Sequence, residues 1–461
     1  MDATVEHERK LQAPDGFELP ELGGTPLETR VFTSVYYDVP SRSLSNAGIT
    51  LRRRTERGKS VWQLKLPADD ARLELEQPGG PTGPPDELAR LLVAHLRGIR
   101  VEPIAELRTR RRGELVERSG STAEVTVDEV AVMDAQRVAQ EFVEVEIELV
   151  AGDPKRLDTI AKEISRAGAS RSNGTPKVFQ ALGIGPKKAR RPTEPFEALR
   201  ALLRMQLGEI LRHDPGTRLG TDPESLHDMR VAVRRSRALL RAGRALVASD
   251  TQMLAAELKW LGEVLGAVRD LDVLLAHLRG EAAELGATDE KTALRLLRAL
   301  TQERKRARGA LLRALDSPRY LQLLDRFETG LVDLEPTGAT VTLDALAKLE
   351  LKRVRKAVRA LSDRPLDEEL HDLRKRGKRA RYAFELARNR TVADRAKQLQ
   401  DVLGEHQDST VAESRLRALG EVAPADQAVV AGRLLERERL RQSAARADWP
   451  AAWRELDRAS R

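Results

Sequence analysis

Along the first 184 residues, charged and apolar side chains alternate one for one in short runs. Glu6, Glu8 and Lys10 share one face of the opening segment, and Arg52 and Arg54 share one face of residues 49–54. Lys65 lies between Leu64 and Leu66, Glu74 and Glu76 alternate with Leu73 and Leu75, and Arg108 and Arg110 flank Thr109. Glu144, Glu146 and Glu148 alternate with Val143, Val145, Ile147 and Leu149. A period of two belongs to strands, whose successive side chains point to opposite faces. At least six strands are therefore predicted, divided by breaks such as Gln77-Pro78-Gly79-Gly80-Pro81. From about residue 195 the pattern changes to Leu, Ala and Arg at helical spacing, which predicts an all-helical half.

Each strand taken singly fits an antiparallel sheet with one solvated face. The set argues for something else. Carboxylate strands open and close the segment, and basic strands lie between them. A solvent face needs no such division, whereas a closed barrel with a charged lumen does. Its apolar face would then turn outward against helices at 85–96 and 154–167. Converging Arg and Lys bind phosphate oxygens, and clustered carboxylates hold a hard divalent cation. Together they suit a polyanion with bound metal, such as a triphosphate.

The helical half is duplicated. Leu226-His227-Asp228-Met229-Arg230 returns as Leu370-His371-Asp372-Leu373-Arg374, and Val264-Leu265-Gly266 with Asp270 returns as Val402-Leu403-Gly404 with Asp408. Two markers in the same order predict two related helical bundles about a pseudo-twofold axis, near 195–335 and 340–461. On a helix His227, Arg230, Arg234, Arg237 and Arg241 form one stripe. His371, Arg374, Lys378, Arg381 and Arg388 form its less regular counterpart. A solvated surface explains one such stripe; its recurrence favours a groove where the two converge.

Composition narrows the field. The 461 residues carry 80 Lys+Arg against 72 Asp+Glu, a net charge of +8, and no cysteine. Disulfide scaffolds, thiolate zinc sites and cysteine nucleophiles are thereby excluded. The balance is −4 over 1–184, +3 over the proline-containing linker 185–194 and +9 over 195–461. Aromatics are 3% of the chain, too few for the stacking that single-stranded nucleic acid calls for. No apolar run reaches membrane-spanning length, and the N-terminus has no signal-like apolar segment. A cytoplasmic protein is expected, with no membrane partner and nucleic acid an improbable one.

The ordered residues of the first half resemble the CYTH superfamily, the triphosphate tunnel metalloenzymes. Glu6-x-Glu8-x-Lys10 is similar to its ExExK signature. Tyr37-Asp38, Leu51-Arg52-Arg53-Arg54, Trp62-Gln63-Leu64-Lys65, Glu74-x-Glu76, Arg108-x-Arg110, Asp128 and Glu144-Val-Glu146-Ile-Glu148 follow in family order. The resemblance implies an eight-stranded antiparallel β tunnel with flanking helices that hydrolyses or cyclises triphosphates with Mg²⁺ or Mn²⁺. It implies Glu6, Glu8, Glu146 and Glu148 as metal ligands, and Glu6, Glu8 and Lys10 as the catalytic group. Arg52, Arg54, Lys65, Arg108, Arg110 and Lys177 are the implied phosphate binders, with Glu76 and Asp128 as further positions. Val39 departs from the family's usual threonine. The faces of Arg53, Arg111 and Arg112 stay open, and Glu144 is placed either at the tunnel mouth or as a partner behind the ligands.

The second half is similar to the CHAD domain, the conserved histidine α-helical domain. That resemblance implies binding of inorganic polyphosphate by His227, Arg230, Arg234, Arg237, His371, Arg374, Lys378 and Arg381. The expected molecule is a multidomain α+β protein: a tunnel domain over 1–184, a linker, and an all-α pseudo-twofold pair of bundles over 195–461. Its expected activity is metal-dependent hydrolysis of inorganic triphosphate, with association to polyphosphate granules. Thiamine triphosphate or a nucleotide stays open as substrate. The alternative is a non-catalytic or slow polyphosphate-binding protein.

Overall fold

A strand with charge on every second residue has two incompatible faces, and the N-terminal sheet resolves the conflict by rolling up. The computed structural model describes residues 2–68, 71–171, 177–183, 192–339 and 341–461. Most of the expected linker, residues 185–191, lies outside them. The strands are β1 (Asp2–Glu6), β2 (Glu8–Ala13), β3 (Thr25–Pro26), β4 (Arg30–Asp38), β5 (Thr50–Glu56), β6 (Lys59–Ala68), β7 (Ala71–Pro78), β8 (Glu102–Arg118), β9 (Ser121–Asp134), β10 (Arg137–Ala151) and β11 (Ser170–Arg171). Their order is β1-β7-β6-β5-β4-β8-β9-β10-β2-β11, with β3 on β8 and every pairing antiparallel.

His7 alone separates β1 from β2, yet β1 pairs with β7 and β2 with β10. The N-terminal segment thus joins the two ends of the sheet. Counted as one strand, it closes an eight-stranded cylinder; β3 and β11 are short additions. Two-residue turns set the registers of the hairpins. Arg57 and Gly58 between β5 and β6 have φ 49° and 78°, and Ser119 and Gly120 between β8 and β9 have 51° and 75°. Positive φ at both turn positions matches the twist of the flanking strands.

The apolar face points out of the cylinder and is covered by short helices, α1 (Ser43–Asn46), α2 (Asp86–Leu91), α3 (Val93–Leu96) and α4 (Leu157–Arg166), whereas α5 (Lys177–Ala181) packs Val178 and Phe179 on Tyr36, Leu107, Val130 and Phe142. Leu51, Trp62, Leu64 and Leu75 pack with Leu88 and Leu91 of α2. Val125, Val127, Val145 and Ile147 pack with Leu157, Ile160 and Ile164 of α4. Each fully buried side chain of this kind contributes about 1.5–3 kcal/mol, so the hydrophobic effect holds the barrel chiefly from outside, and the α5 cluster, whose Tyr36 and Leu107 share the parity of the lumen residues, is the apolar part of the inner face.

The remaining helices are α6 (Pro195–Leu219), α7 (Pro223–Ala242), α8 (Gln252–Ala283), α9 (Ala287–Leu296), α10 (Arg298–Leu315), α11 (Pro318–Val332), α12 (Leu343–Arg359), α13 (Asp367–Leu386), α14 (Arg390–Glu421) and α15 (Ala425–Ala459). The chain divides into two compact units, 1–189 with 214–219 and 190–213 with 220–461. Within the second, α7 and α13 both have 20 residues, and α8 and α14 both have 32. Leu226 and Leu370, Met229 and Leu373, Leu240 and Phe384, and Leu265 and Leu403 are buried in matching pairs. α7 packs on α8, α13 on α14, and α7 directly on α13, which brings the two copies of the basic stripe together.

Candidate active site and basic groove

The lumen face of each strand follows from parity. Thr50, Arg52 and Arg54 of β5, Gln63 and Lys65 of β6, and Glu74 and Glu76 of β7 line a polar cavity of about 170 Å³. Glu6, Glu8 and Lys10 enter it from β1 and β2, Glu146 and Glu148 from β10, and Lys177 from α5. Arg30 and Tyr36 of β4, Arg72, Arg111 and Glu124 complete the wall.

Charge inside the cylinder is sorted. Glu146 is surrounded by cations: Lys10 Nζ at 2.5 Å, Arg111 Nη2 at 2.5 Å and Lys177 Nζ at 3.0 Å. Burial opposes its ionisation, but Lys10, Lys177 and Arg111 outweigh burial and hold its carboxyl well below the usual range. Arg111 also grips fully buried Asp128 with two parallel bonds of 2.7 and 2.6 Å, and Lys177 makes a further ion pair with that carboxylate. The other end is short of positive charge. Lys65 Nζ lies 2.6 Å from Glu6 and 3.5 Å from Glu74. Burial and the neighbouring Glu74 push Glu6 up to about 7. Burial and Glu6 do the same to Glu148, also to about 7.

Further cations line the lumen from β5. Arg52 Nε donates to Gln63 at 2.7 Å and Nη1 to Tyr36 Oη at 3.1 Å. The guanidinium of Arg54 lies 3.8 Å from the ring centre of Phe32. Burial and the nearby charge of Arg52 lower its pKa. A bound polyanion would relieve that repulsion.

In the second unit Asp222 caps α7, accepting from Glu224 N at 2.9 Å, with Pro223 at the first helical position. This arrangement starts the helix in the phase that puts its basic stripe against α13. Arg230 bonds Asp270 at 3.0 Å and lies 3.5 Å from where a Cβ on Gly266 would stand. Arg374 lies 3.6 Å from the corresponding point on Gly404, near Asp408. The duplicated Leu-Gly…Asp marker is thus the seat for a duplicated arginine.

Between α7 and α13 lies a cavity of about 360 Å³ lined by Arg234, Arg237, Arg241, Lys375, Lys378, Arg379 and Tyr382, with Glu350 as its one acid among the described lining residues. Arg234 Nε donates to Tyr382 Oη at 2.8 Å. Burial first, then Arg234, Arg374, Arg230 and Arg381, drive the Lys378 ammonium down to about 7. Arg381 is turned toward Glu385 at 2.8 Å and Gln400 at 3.3 Å. His227 and His371 do not line the cavity. Burial lowers the pKa of both, assisted by Arg269 at His227 and by Lys375 at His371.

Comparison with known proteins matches the description "CYTH domain" to residues 5–179 and "CHAD domain" to residues 201–417. Uncharacterized protein Rv2226 of Mycobacterium tuberculosis is 30% identical over 504 residues, covering 99% of this chain and 97% of that one. The chain belongs to the CYTH–CHAD family. A thiamine-triphosphatase of Homo sapiens is 50% identical over 66 residues, covering 14% of this chain and 27% of that one. Among solved structures, PptA from Streptomyces chartreusis has 25% identity and a TM-score of 0.50, covering 56% of this chain and 99% of that one. The CYTH domain thereby joins a group that includes triphosphatases and requires a divalent metal.

The CYTH lumen takes in nine of the eleven tunnel residues expected from the sequence: Glu6, Glu8, Lys10, Arg52, Arg54, Lys65, Glu146, Glu148 and Lys177. Arg108 and Arg110 are corrections. Both are exposed, and Arg110 pairs with Glu129 at 3.3 Å on the outer face. Leu107 and Thr109 are buried, and Arg111 shares their parity. Its register partner is Asp128, so Arg111 takes the inward place. Glu144 is not at the mouth. It is 2% exposed, stands 3.6 Å from Lys177, and burial raises its pKa against the pull of Lys10 and Lys177. Arg30, Arg72 and Tyr36 were not anticipated; their common parity with Phe32, Ser34 or Glu74 was the available signal.

The residues present fit the metal that the family requires. Among the described residues no three acid or histidine side chains stand together in an enclosing set. Yet Glu6, Glu8 and Glu148 line one cavity as hard oxygen donors, Glu6 held by Lys65 at 2.6 Å and Glu8, which opens β2, by Lys10 at 3.3 Å. Glu146 is committed to its three cations, which leaves Glu6, Glu8 and Glu148 as the better-suited donors.

Proposed function

We propose that the CYTH domain hydrolyses inorganic triphosphate and that the CHAD domain binds inorganic polyphosphate. The observation that carries the first part is the sorted lumen: carboxyls raised by burial at Glu6 and Glu148, and an Arg54 guanidinium lowered by burial and by Arg52 and Arg30. Such a cavity is complementary to an anion that brings its own counter-charge. Arg52, Arg54, Lys65, Arg111 and Lys177 would bind phosphoryl oxygens, and Lys10 would meet the charge that spreads over the terminal phosphoryl group in the transition state. Glu6, Glu8 and Glu148 would hold Mg²⁺ or Mn²⁺, which supplies charge neutralisation and an activated water. When Glu6 turns to the metal, Lys65 is released for substrate.

Inorganic triphosphate is favoured over thiamine triphosphate or a nucleotide because Tyr36 is the one aromatic among the described lining residues. A heterocycle would find no apolar wall there. The second part rests on the cavity between α7 and α13, where Arg234, Arg237, Arg241, Lys375, Lys378 and Arg379 face a single acid, Glu350, among the described lining residues; Arg230, Arg374 and Arg381 stand outside that lining.

The test is phosphate release from tripolyphosphate by the full chain with and without Mg²⁺ or Mn²⁺, set beside thiamine triphosphate and ATP. Metal-dependent release that Glu6→Gln removes, with tripolyphosphate preferred, is the expected result. Tight polyphosphate binding with no release under any metal would leave a binding protein instead.

A further inference from the structure

Thr50, Arg52, Arg54 and Glu56 occupy alternate positions of β5 and share its lumen face. The first three line the tunnel. Glu56 stands where the lumen meets a second cavity of about 350 Å³, which shares Arg30, Arg54, Gln63 and Glu76 with the tunnel and adds exposed Arg57 and Lys59. Glu76 lines both cavities, and Glu56 is the carboxylate set between Arg30 and Arg54 on the tunnel side and Arg57 and Lys59 on the other.

That carboxylate is held firmly. It accepts from Arg30 Nε at 2.8 Å and Nη2 at 2.9 Å, and from Arg54 Nη2 at 2.6 Å. The Arg30 hydrogen bond, with Arg54 assisting, keeps its carboxyl at about 2, so it is ionised throughout the neutral range. The tight Arg57-Gly58 turn sets Glu56 directly across from Lys59, so its backbone has little freedom to withdraw.

We propose that Glu56 is a chain-length stop: it ends the phosphate track at Arg54 and makes the tunnel select linear triphosphate over longer inorganic polyphosphates. The inference rests on the tunnel's proposed use of triphosphate. A chain carrying one more phosphoryl group beyond Arg54 would press an anion against the Glu56 carboxylate. It would also find the outward nitrogens of Arg30 and Arg54 already engaged. Selection then comes from built-in repulsion of the longer competitor rather than from added attraction to the shorter one. Without Glu56, Arg30 and Arg54 would face Lys59 and Arg57 directly, with Glu76 and the Glu28 partner of Arg57 as the neighbouring acids.

The experiment uses the full chain and Glu56→Gln. Metal-free calorimetric titration with tripolyphosphate and with linear tetrapolyphosphate measures binding, and metal-dependent phosphate release is measured beside it. The wild type should bind tripolyphosphate at least about tenfold tighter than the longer chain, and Glu56→Gln should narrow that ratio about tenfold by gaining the longer chain. Glu56→Asp, which keeps the charge, should retain the wild-type ratio, and adding Arg57→Ala with Lys59→Ala to Glu56→Gln should remove the gain. Equal binding of both chains by the wild type, an unchanged ratio in Glu56→Gln, or equal shifts in Glu56→Gln and Glu56→Asp would overturn the inference. Binding ratios that behave as expected without any phosphate release would uphold the stop while sinking the hydrolase reading.

Discussion

If the CHAD domain binds polyphosphate as proposed, Lys378 should make that binding a measurable function of pH. Its ammonium is held at about 7 by burial and by Arg234, Arg374, Arg230 and Arg381, against an ordinary 10.5. The groups facing it from α7 and α13 are overwhelmingly cationic; Tyr382 of α13 and Glu350 of α12 complete the surroundings. A polyanion in the groove supplies the missing negative charge and returns the pKa toward its ordinary value. Binding is then coupled to proton uptake. With the free pKa at 7 and the bound one near 10.5, linkage gives an affinity that falls about fifty-fold between pH 7 and pH 9 from this single group. At pH 8 binding should draw in about 0.9 proton. Calorimetric titration of a defined polyphosphate at constant ionic strength, in two buffers of different ionisation enthalpy, counts that proton directly. Lys378→Arg stays charged across the window, so its affinity should change less than about threefold and exceed the wild type at pH 9. Parallel pH curves for wild type and Lys378→Arg, or no proton uptake at pH 8, would refute the reasoning. The same repulsion has a stability sign. A lysine pKa lowered in the folded state makes the ligand-free protein gain stability as pH rises from about 7 toward 10.5.

Other consequences follow from the lumen. Glu148 is raised to about 7; its contribution to stability is complete below pH 4.5 and is lost as pH rises through 7. Glu148→Gln should therefore stabilise the metal-free protein at pH 8 by about 1–3 kcal/mol, while thermal melts lose their response to added Mn²⁺. Arg111→Met leaves buried Asp128 with one cation partner fewer and should destabilise by about 3–5 kcal/mol in urea melts. Arg110→Met, on the outer face, should stay within about 0.5 kcal/mol and leave the KM for tripolyphosphate unchanged. A Cβ on Gly113 of β8 would stand 2.1 Å from the Val125 carbonyl oxygen. Gly113→Ala should accordingly cost about 1–3 kcal/mol, with the β8–β9 pairing loosened in hydrogen exchange.

Much of the architecture was legible because the physics is periodic. Alternation at Glu144–Leu149 and at Leu73–Glu76 dictates a two-faced strand, and the division of acid from base among strands dictates that the charged face be enclosed. Repetition of His-Asp-x-Arg and of Leu-Gly…Asp dictates paired bundles. The Arg108–Arg112 run shows where this reasoning ends. Four arginines cover both parities around Thr109, so alternation alone offers no choice of inward face. The burial of Leu107 and Thr109 and the register of Arg111 opposite Asp128 make that choice, and both depend on strands distant in sequence.

The amino-acid sequence by itself determined which residues could share a face, because side-chain direction is set by local backbone geometry. It therefore carried the tunnel, its acid and base strands, and the two basic helices. Only the tertiary structure decided how charge is balanced within those faces. Glu146 is saturated by Lys10, Arg111 and Lys177, whereas Glu148 is left wanting, Lys378 is pushed toward its neutral form by burial and four arginines, and Glu56 stands across the end of a basic track. Electrostatic energies depend on separations through space and on exclusion of water, and neither quantity is written in the order of residues along the chain.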